Sequence, residues 1–181
     1  MADSPLMPVA PFARADPWRA VGSRAVHPSR CAGAEPLVAA IAEGLAAVAV
    51  PWEMATEESP DERQYELILA TESYDAWLIH WPAGSGLGAH DHGGSAGAFA
   101  VVSGVLEEQT AVRSDTVTRR VAAGESVCFG ADHVHAVFNG SDAAATSVHV
   151  YAPPLRSMGF YRADGGTVVL ERVDKIGSHH Y

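Results

Sequence analysis

The stretch Gly84–Gly104, GSGLGAHDHGGSAGAFAVVSG, decides how the rest of the chain is read. His90 and His92 sit one residue apart in a Gly-rich run. They are either two solvated imidazoles in a turn or half of a metal site. On a strand, residues i and i+2 point to the same face. Two imidazoles one pleat apart can chelate a single ion, each at about 2.0–2.1 Å. A third ligand must then come from a neighbouring strand. His135, in GADHVHAVFNG at the start of an apolar run, is the candidate.

Outward from this stretch the chain is rich in short β-type runs: YELILAT, AWLIHW, GAFAVVSG, LEEQTAV, DTVTRRV, ESVCFG, HAVFNG, TSVHVYA and GTVVLERV. Gly, Asp, Asn or Pro turns separate most of them, a pattern of antiparallel sandwiches and barrels. Upstream, EPLVAAIAEGLAAVAV carries apolar residues at helical spacing from Glu35, with Pro36 suited to a first turn and Pro51 ending the pattern. Residues 1–35 read as an arm that Trp18 would anchor, and Glu57–Arg63 as an acidic linker. The expectation is a mainly β protein: an antiparallel β-barrel over 63–181, with an arm and helix in 1–62 packed on it as one structural domain.

Composition narrows the function. The net charge is −10 and Lys175 is the only lysine, so no basic stripe exists to hold nucleic acid. No apolar run reaches the roughly 20 residues of a membrane span. The first residues hold no secretory apolar core, so a cytoplasmic protein is expected. Cys31 and Cys128 form no close-spaced pair. Neither a disulfide framework nor a zinc knuckle is indicated, and Cys128 reads as a small buried hydrophobe. His27, His80, His179 and His180 read as surface or satisfied residues.

The spacings resemble the two motifs of the cupin superfamily. Gly84, five residues, His90, His92, four residues, Gly97, six residues and Gly104 follow the first motif. Gly124, His135 and Asn139 follow the second, with Gly130 and Asp132 in place of its Pro and Gly. The resemblance implies a jelly-roll-like barrel. It selects His135 over His133 as third ligand and leaves His133 a loop or supporting role. Gly97 stands where most cupins place a glutamate. A site of three neutral imidazoles keeps its full charge and open positions, as a catalytic metal needs.

A second constellation lies in SVHVYAPP, Ser147–Pro154. Ser147, His149 and Tyr151 alternate and so share one strand face. A hydrogen-bond relay could run along it and bring the phenol toward the metal. Together these features are similar to the cysteine dioxygenase family of thiol dioxygenases, bacterial type, over about Tyr65–Pro154. That resemblance implies Fe2+ held by His90, His92 and His135, dioxygen as co-substrate, and a small thiol oxidised to its sulfinic acid. It implies that Tyr151, oriented by His149 and Ser147, serves catalysis. Animal members crosslink a cysteine at the Gly97 position to the tyrosine, and glycine forbids that here. Short members tend to be monomers, which is the expectation for this chain.

The family also carries an arginine, on the strand before the metal motif, that clamps the substrate carboxylate. Here Arg63 is near but not cleanly in register, with Tyr65 and Trp77 as further substrate-binding candidates. Without a clamp the substrate would not be free cysteine. It would be a thiol whose charge is elsewhere, such as the betaine thiol ergothioneine or a mercapto acid, or one whose carboxylate meets another arginine, such as Arg156 or one from the N-terminal arm. Two other classes compete: a cupin enzyme not acting on thiols, and a metal-binding cupin without catalysis.

Overall fold

The computed structural model describes residues 35–48, 63–112, 115–164 and 167–177. The expected arm, its Trp18, the linker up to residue 62 and the terminal histidines lie outside the described residues. Among the described residues the first element is the helix α1, Glu35–Val48. Eleven strands follow among the described residues: β1 Gln64–Ala70, β2 Asp75–Trp81, β3 Gly86–His90, β4 Ala96–Ser103, β5 Val105–Val112, β6 Asp115–Ala122, β7 Ser126–Phe129, β8 His135–Phe138, β9 Ala145–Ala152, β10 Ser157–Asp164 and β11 Thr167–Lys175. No helix among the described residues is long and apolar enough to cross a membrane.

The strands form two antiparallel sheets, in the orders β1-β2-β9-β4-β7 and β11-β10-β3-β8-β5-β6. The expected barrel is thus a jelly roll of two facing sheets, with no ladder closing it among the described residues. Inward side chains from both sheets interdigitate: Trp77, Trp81, Phe99, Phe129 and Tyr151 from one meet Leu106, Val121, Val137 and Phe160 from the other. The outer face of the five-stranded sheet is covered as well. Val38 and Ala42, one helical turn apart on α1, pack on Ala76, Leu78, Ala98, Ala100, Val148 and Val150. Burial on both faces is why β2, β4 and β9 read as nearly continuous apolar runs, not as alternating ones.

Two strands are absent from the sequence reading. β3 (GLGAH) carries two glycines and β10 (SMGFYRAD) is broken by Gly159 and charged residues, so neither has strong β-propensity. Tertiary pairing imposes both. Gly159 lies where the chain passes Asp91: a Cβ there would come 2.5 Å from Asp91 Oδ2. The cysteine reading is also corrected. Cys128 is buried as expected, but it is disulfide-bonded and not a free thiol. The one other cysteine, Cys31, is 97 positions away and outside the described residues.

Candidate metal centre

His90 ends β3 and His135 begins β8, and the antiparallel register sets them directly opposite each other. Their ring centroids are 4.7 Å apart. His92 is not on the strand, as the parity argument assumed, but two residues beyond its end. Asp91 makes the bend that returns its ring to the interior. Asp91 Oδ1 accepts from the Gly93 and Gly159 amides (2.8 and 3.1 Å), and Oδ2 accepts from the Tyr161 hydroxyl (2.5 Å). The His92 ring then lies 5.1 Å from His90 and 5.0 Å from His135. One nitrogen from each of the three lies within 4.8 Å of the others, a grouping that can hold a metal ion.

Hydrogen bonds decide which nitrogens are free. The Gly88 carbonyl lies 2.7 Å from His90 Nδ1 and can only accept, so Nδ1 carries the proton and Nε2 keeps its lone pair. Glu108 Oε1 lies 2.7 Å from His135 Nδ1 and sets the same tautomer. His92 has both ring nitrogens buried without a partner. Leaving such a group unsatisfied costs about 1–3 kcal/mol, and a metal ion is a partner that the three rings together could hold. Burial pushes His90, His92 and His135 below the ordinary imidazole value. They are neutral near pH 7, the protonation state that metal ligation requires.

Gly97 explains the absence of a fourth protein ligand. It faces inward on β4, and a Cβ there would lie 2.6 and 2.7 Å from the Phe129 ring and 2.9 Å from Tyr151 Cδ1. The space is already taken. Phe129 stacks on His92 on one side (4.6 Å, 21°) and on His133 on the other (5.3 Å, 17°). No carboxylate or cysteine fits at position 97 without displacing two aromatic rings.

The facing wall comes from the five-stranded sheet. Trp81 Nε1–H donates to Ser147 Oγ at 2.9 Å, and Ser147 Oγ lies 2.9 Å from His149 Nε2. An indole nitrogen only donates, so Ser147 accepts from it and passes its own proton toward His149 Nε2. His149 Nδ1 then carries the ring proton and donates to the Tyr151 oxygen at 3.2 Å. The Tyr151 proton is left for the interior. Burial pushes His149 down to about 3 and raises the Tyr151 phenol above its ordinary value. The relay is neutral throughout.

Arg63 precedes β1 and turns inward. Its guanidinium carbon lies 5.2 Å from the centre of the Trp81 ring, and its Nη1 is buried with no hydrogen-bond partner. Burial lowers its pKa, and the nearby Tyr151 and Tyr65 phenols oppose that. Tyr65 and Trp77 lie side by side with ring centres 6.1 Å apart, Trp77 buried and Tyr65 46% exposed. Arg156, the other described arginine weighed at the sequence level, is exposed. Glu108, which holds His135, escaped the sequence reading. Its signal was parity: in VLEEQTAV it shares a face with the buried Leu106. Burial acts to raise its pKa, but hydrogen bonds from His133 and His135 outweigh that and hold it well below the usual carboxylate range.

No curated protein sequence matched the chain. Among solved structures it is similar to TT1209 from Thermus thermophilus, with 21% identity, 52% of this chain and 87% of that one covered, and a TM-score of 0.47. A double-stranded β-helix protein from Klebsiella pneumoniae shares 23% identity over 52% of this chain and 80% of that one, TM-score 0.46. The cupin domain of Schizosaccharomyces pombe Cnp3 shares 16% over 50% and 60%, TM-score 0.45. The family model for cysteine dioxygenase type I matches residues 30–163. With that match over most of its length, the chain belongs to the cysteine dioxygenase type I family.

Proposed function

We propose that this protein is a mononuclear non-haem iron(II) thiol dioxygenase: a thiolate and dioxygen combine to give the sulfinate, R–S⁻ + O2 → R–SO2⁻. The observation that carries the reading is the buried His92 ring with neither nitrogen partnered, set between two histidines whose tautomers leave Nε2 free. Iron bound by His90, His92 and His135 would supply a soft-accepting Lewis acid for the thiolate and a one-electron partner for dioxygen.

The chain's own residues do the rest. The neutral His149 holds the Tyr151 oxygen, so the phenol hydrogen points toward the reacting atoms. Phe99, stacked on His149 at 5.2 Å and 15°, keeps that ring from rotating. Phe129 and Tyr151 flank His92 and keep water from it. Arg63 offers its unpartnered Nη1 to a carboxylate, which favours cysteine or a small mercapto acid. The case for ergothioneine rests on the lack of a clamp, and the inward Arg63 with its unpartnered Nη1 weighs against it.

The test is oxygen uptake by iron-loaded protein with cysteine, 3-mercaptopropionate, mercaptosuccinate, ergothioneine and cysteamine, with the product identified as sulfinate. Uptake with a carboxylate-bearing thiol and little with cysteamine is expected. No uptake with any of the five would reject the activity, and equal rates with cysteamine would reject the role of Arg63.

A further inference from the structure

Glu108 does not belong in its surroundings by composition. It lies on β5, shares an inward face with Leu106, and is 5% exposed. A buried carboxylate is costly unless it is partnered, and a second leucine would be the cheaper choice there. Its Oε1 lies 2.7 Å from His135 Nδ1 and 3.3 Å from His133 Nε2. A carboxylate only accepts, so both imidazoles present N–H to the same oxygen. His133 is itself held, by its stack on Phe129 and by an edge contact with His135 at 4.8 Å and 73°. The three groups form a fixed bracket behind one metal-facing ring. His90 has a backbone carbonyl as its hydrogen-bond partner and a tilted ring contact with Phe160, and His92 is held by ring contacts without a hydrogen bond.

We propose that Glu108 is a positioning residue: braced by His133, it locks His135 in the tautomer and rotation that present Nε2 to the metal. The proposal rests on the three-histidine site but not on the reaction. A partner that orients a ligating imidazole and raises its basicity is worth 10–100-fold in metal affinity. The same atoms also lie within 4.8 Å of one another as a Glu108–His133–His135 group. A second ion there would need His135 Nδ1 stripped of its proton.

The probe is Co2+ alone, titrated into the metal-free full-length chain against a competing chelator and followed by visible absorption, with no thiol present. The wild type should bind one Co2+ per chain. Glu108→Ala should weaken binding 10–100-fold and alter the Co2+ spectrum. Glu108→Gln, whose amide oxygen still accepts from Nδ1–H, should recover most of the affinity. If Glu108→Ala does not fold by circular dichroism, Glu108→Leu, which extends the apolar row of Leu106, replaces it with the same expectation. Affinity within twofold of wild type in a folded variant would overturn the proposal. So would two Co2+ per chain, with the second lost on mutation, because Glu108 would then be a ligand. A wild type that binds no Co2+ would overturn the three-histidine site with it, whereas normal Co2+ behaviour without thiol-dependent oxygen uptake would reject only the activity.

Discussion

Two walls of the same interior carry buried histidines, and they use them in opposite ways. On the six-stranded sheet and the turn after β3, His90, His92 and His135 each keep at least one nitrogen without a partner. On the five-stranded sheet His149 has both nitrogens committed, one to Ser147 and one to Tyr151. All four are buried and pushed below the ordinary imidazole value. Burial and neutrality therefore do not separate ligand from relay. The difference lies in what surrounds each ring: a histidine with at most one nitrogen engaged keeps a lone pair to offer, while partners at both nitrogens turn it into a link.

The largest effect should come from exchanging a member of each wall. His135→Ala should abolish both bound iron, measured by elemental analysis, and turnover. His149→Ala should keep the iron and lose only turnover; equal metal loss in the two would erase the distinction. Next, Tyr151→Phe removes the hydroxyl that the relay orients. It should retain metal and lower kcat by roughly 10²–10³-fold, the usual scale for a lost charge-stabilising donor. An unchanged kcat would favour a cupin enzyme that does not need this strand.

The third prediction separates the relay wall from a titrating neighbour. Asp75, across the ladder from Tyr151, is raised to about 6 by burial, against which Trp77 and the Leu155 amide act. The folded protein thus binds the proton more tightly than the unfolded chain. Stability should fall as pH rises from about 4 to 6 and stay lower above, by a ceiling of about 3 kcal/mol for the roughly two-unit shift. Asp75→Asn should flatten that slope and raise Tm at pH 8; a thermal melt series with the slope intact in the variant would reassign it. The smallest effect is expected from Trp81→Phe, which removes the proton that sets the direction of the relay. A loss of about tenfold in kcat and about 1 kcal/mol in stability is expected. No change in either would mean that Ser147 does not need the indole.

Legibility followed the range of the physics. The β-runs, the helix from Glu35 and the parity of Ser147, His149 and Tyr151 depend on neighbours in sequence, and they were readable. β3 and β10 were not, because glycines that permit close approach weaken the local signal they would otherwise give. At Gly97 the sequence disclosed a missing side chain, and the fold disclosed that the Phe129 ring, 32 positions on, occupies its place. Glu108 could have been suspected from its alternation with Leu106, but nothing local says which strand lies beside it. Arg63 looked out of register because it precedes β1 and its guanidinium turns in over Trp81, a reach that strand parity does not describe.

The sequence by itself determined the set of donors: three histidines at motif spacing, a Ser-His-Tyr row, and a glycine in place of a carboxylate. Side-chain alternation has a period of two residues, so such sets are written locally. Only the tertiary structure decided that the β3–β8 register sets His90 opposite His135, that Asp91 bends His92 inward, that Glu108 leaves Nε2 of His135 free, and that Trp81 turns the Ser147 proton toward His149. Those choices are made by contacts between residues 27 to 70 positions apart, where only the folded chain brings donor and acceptor within hydrogen-bonding distance.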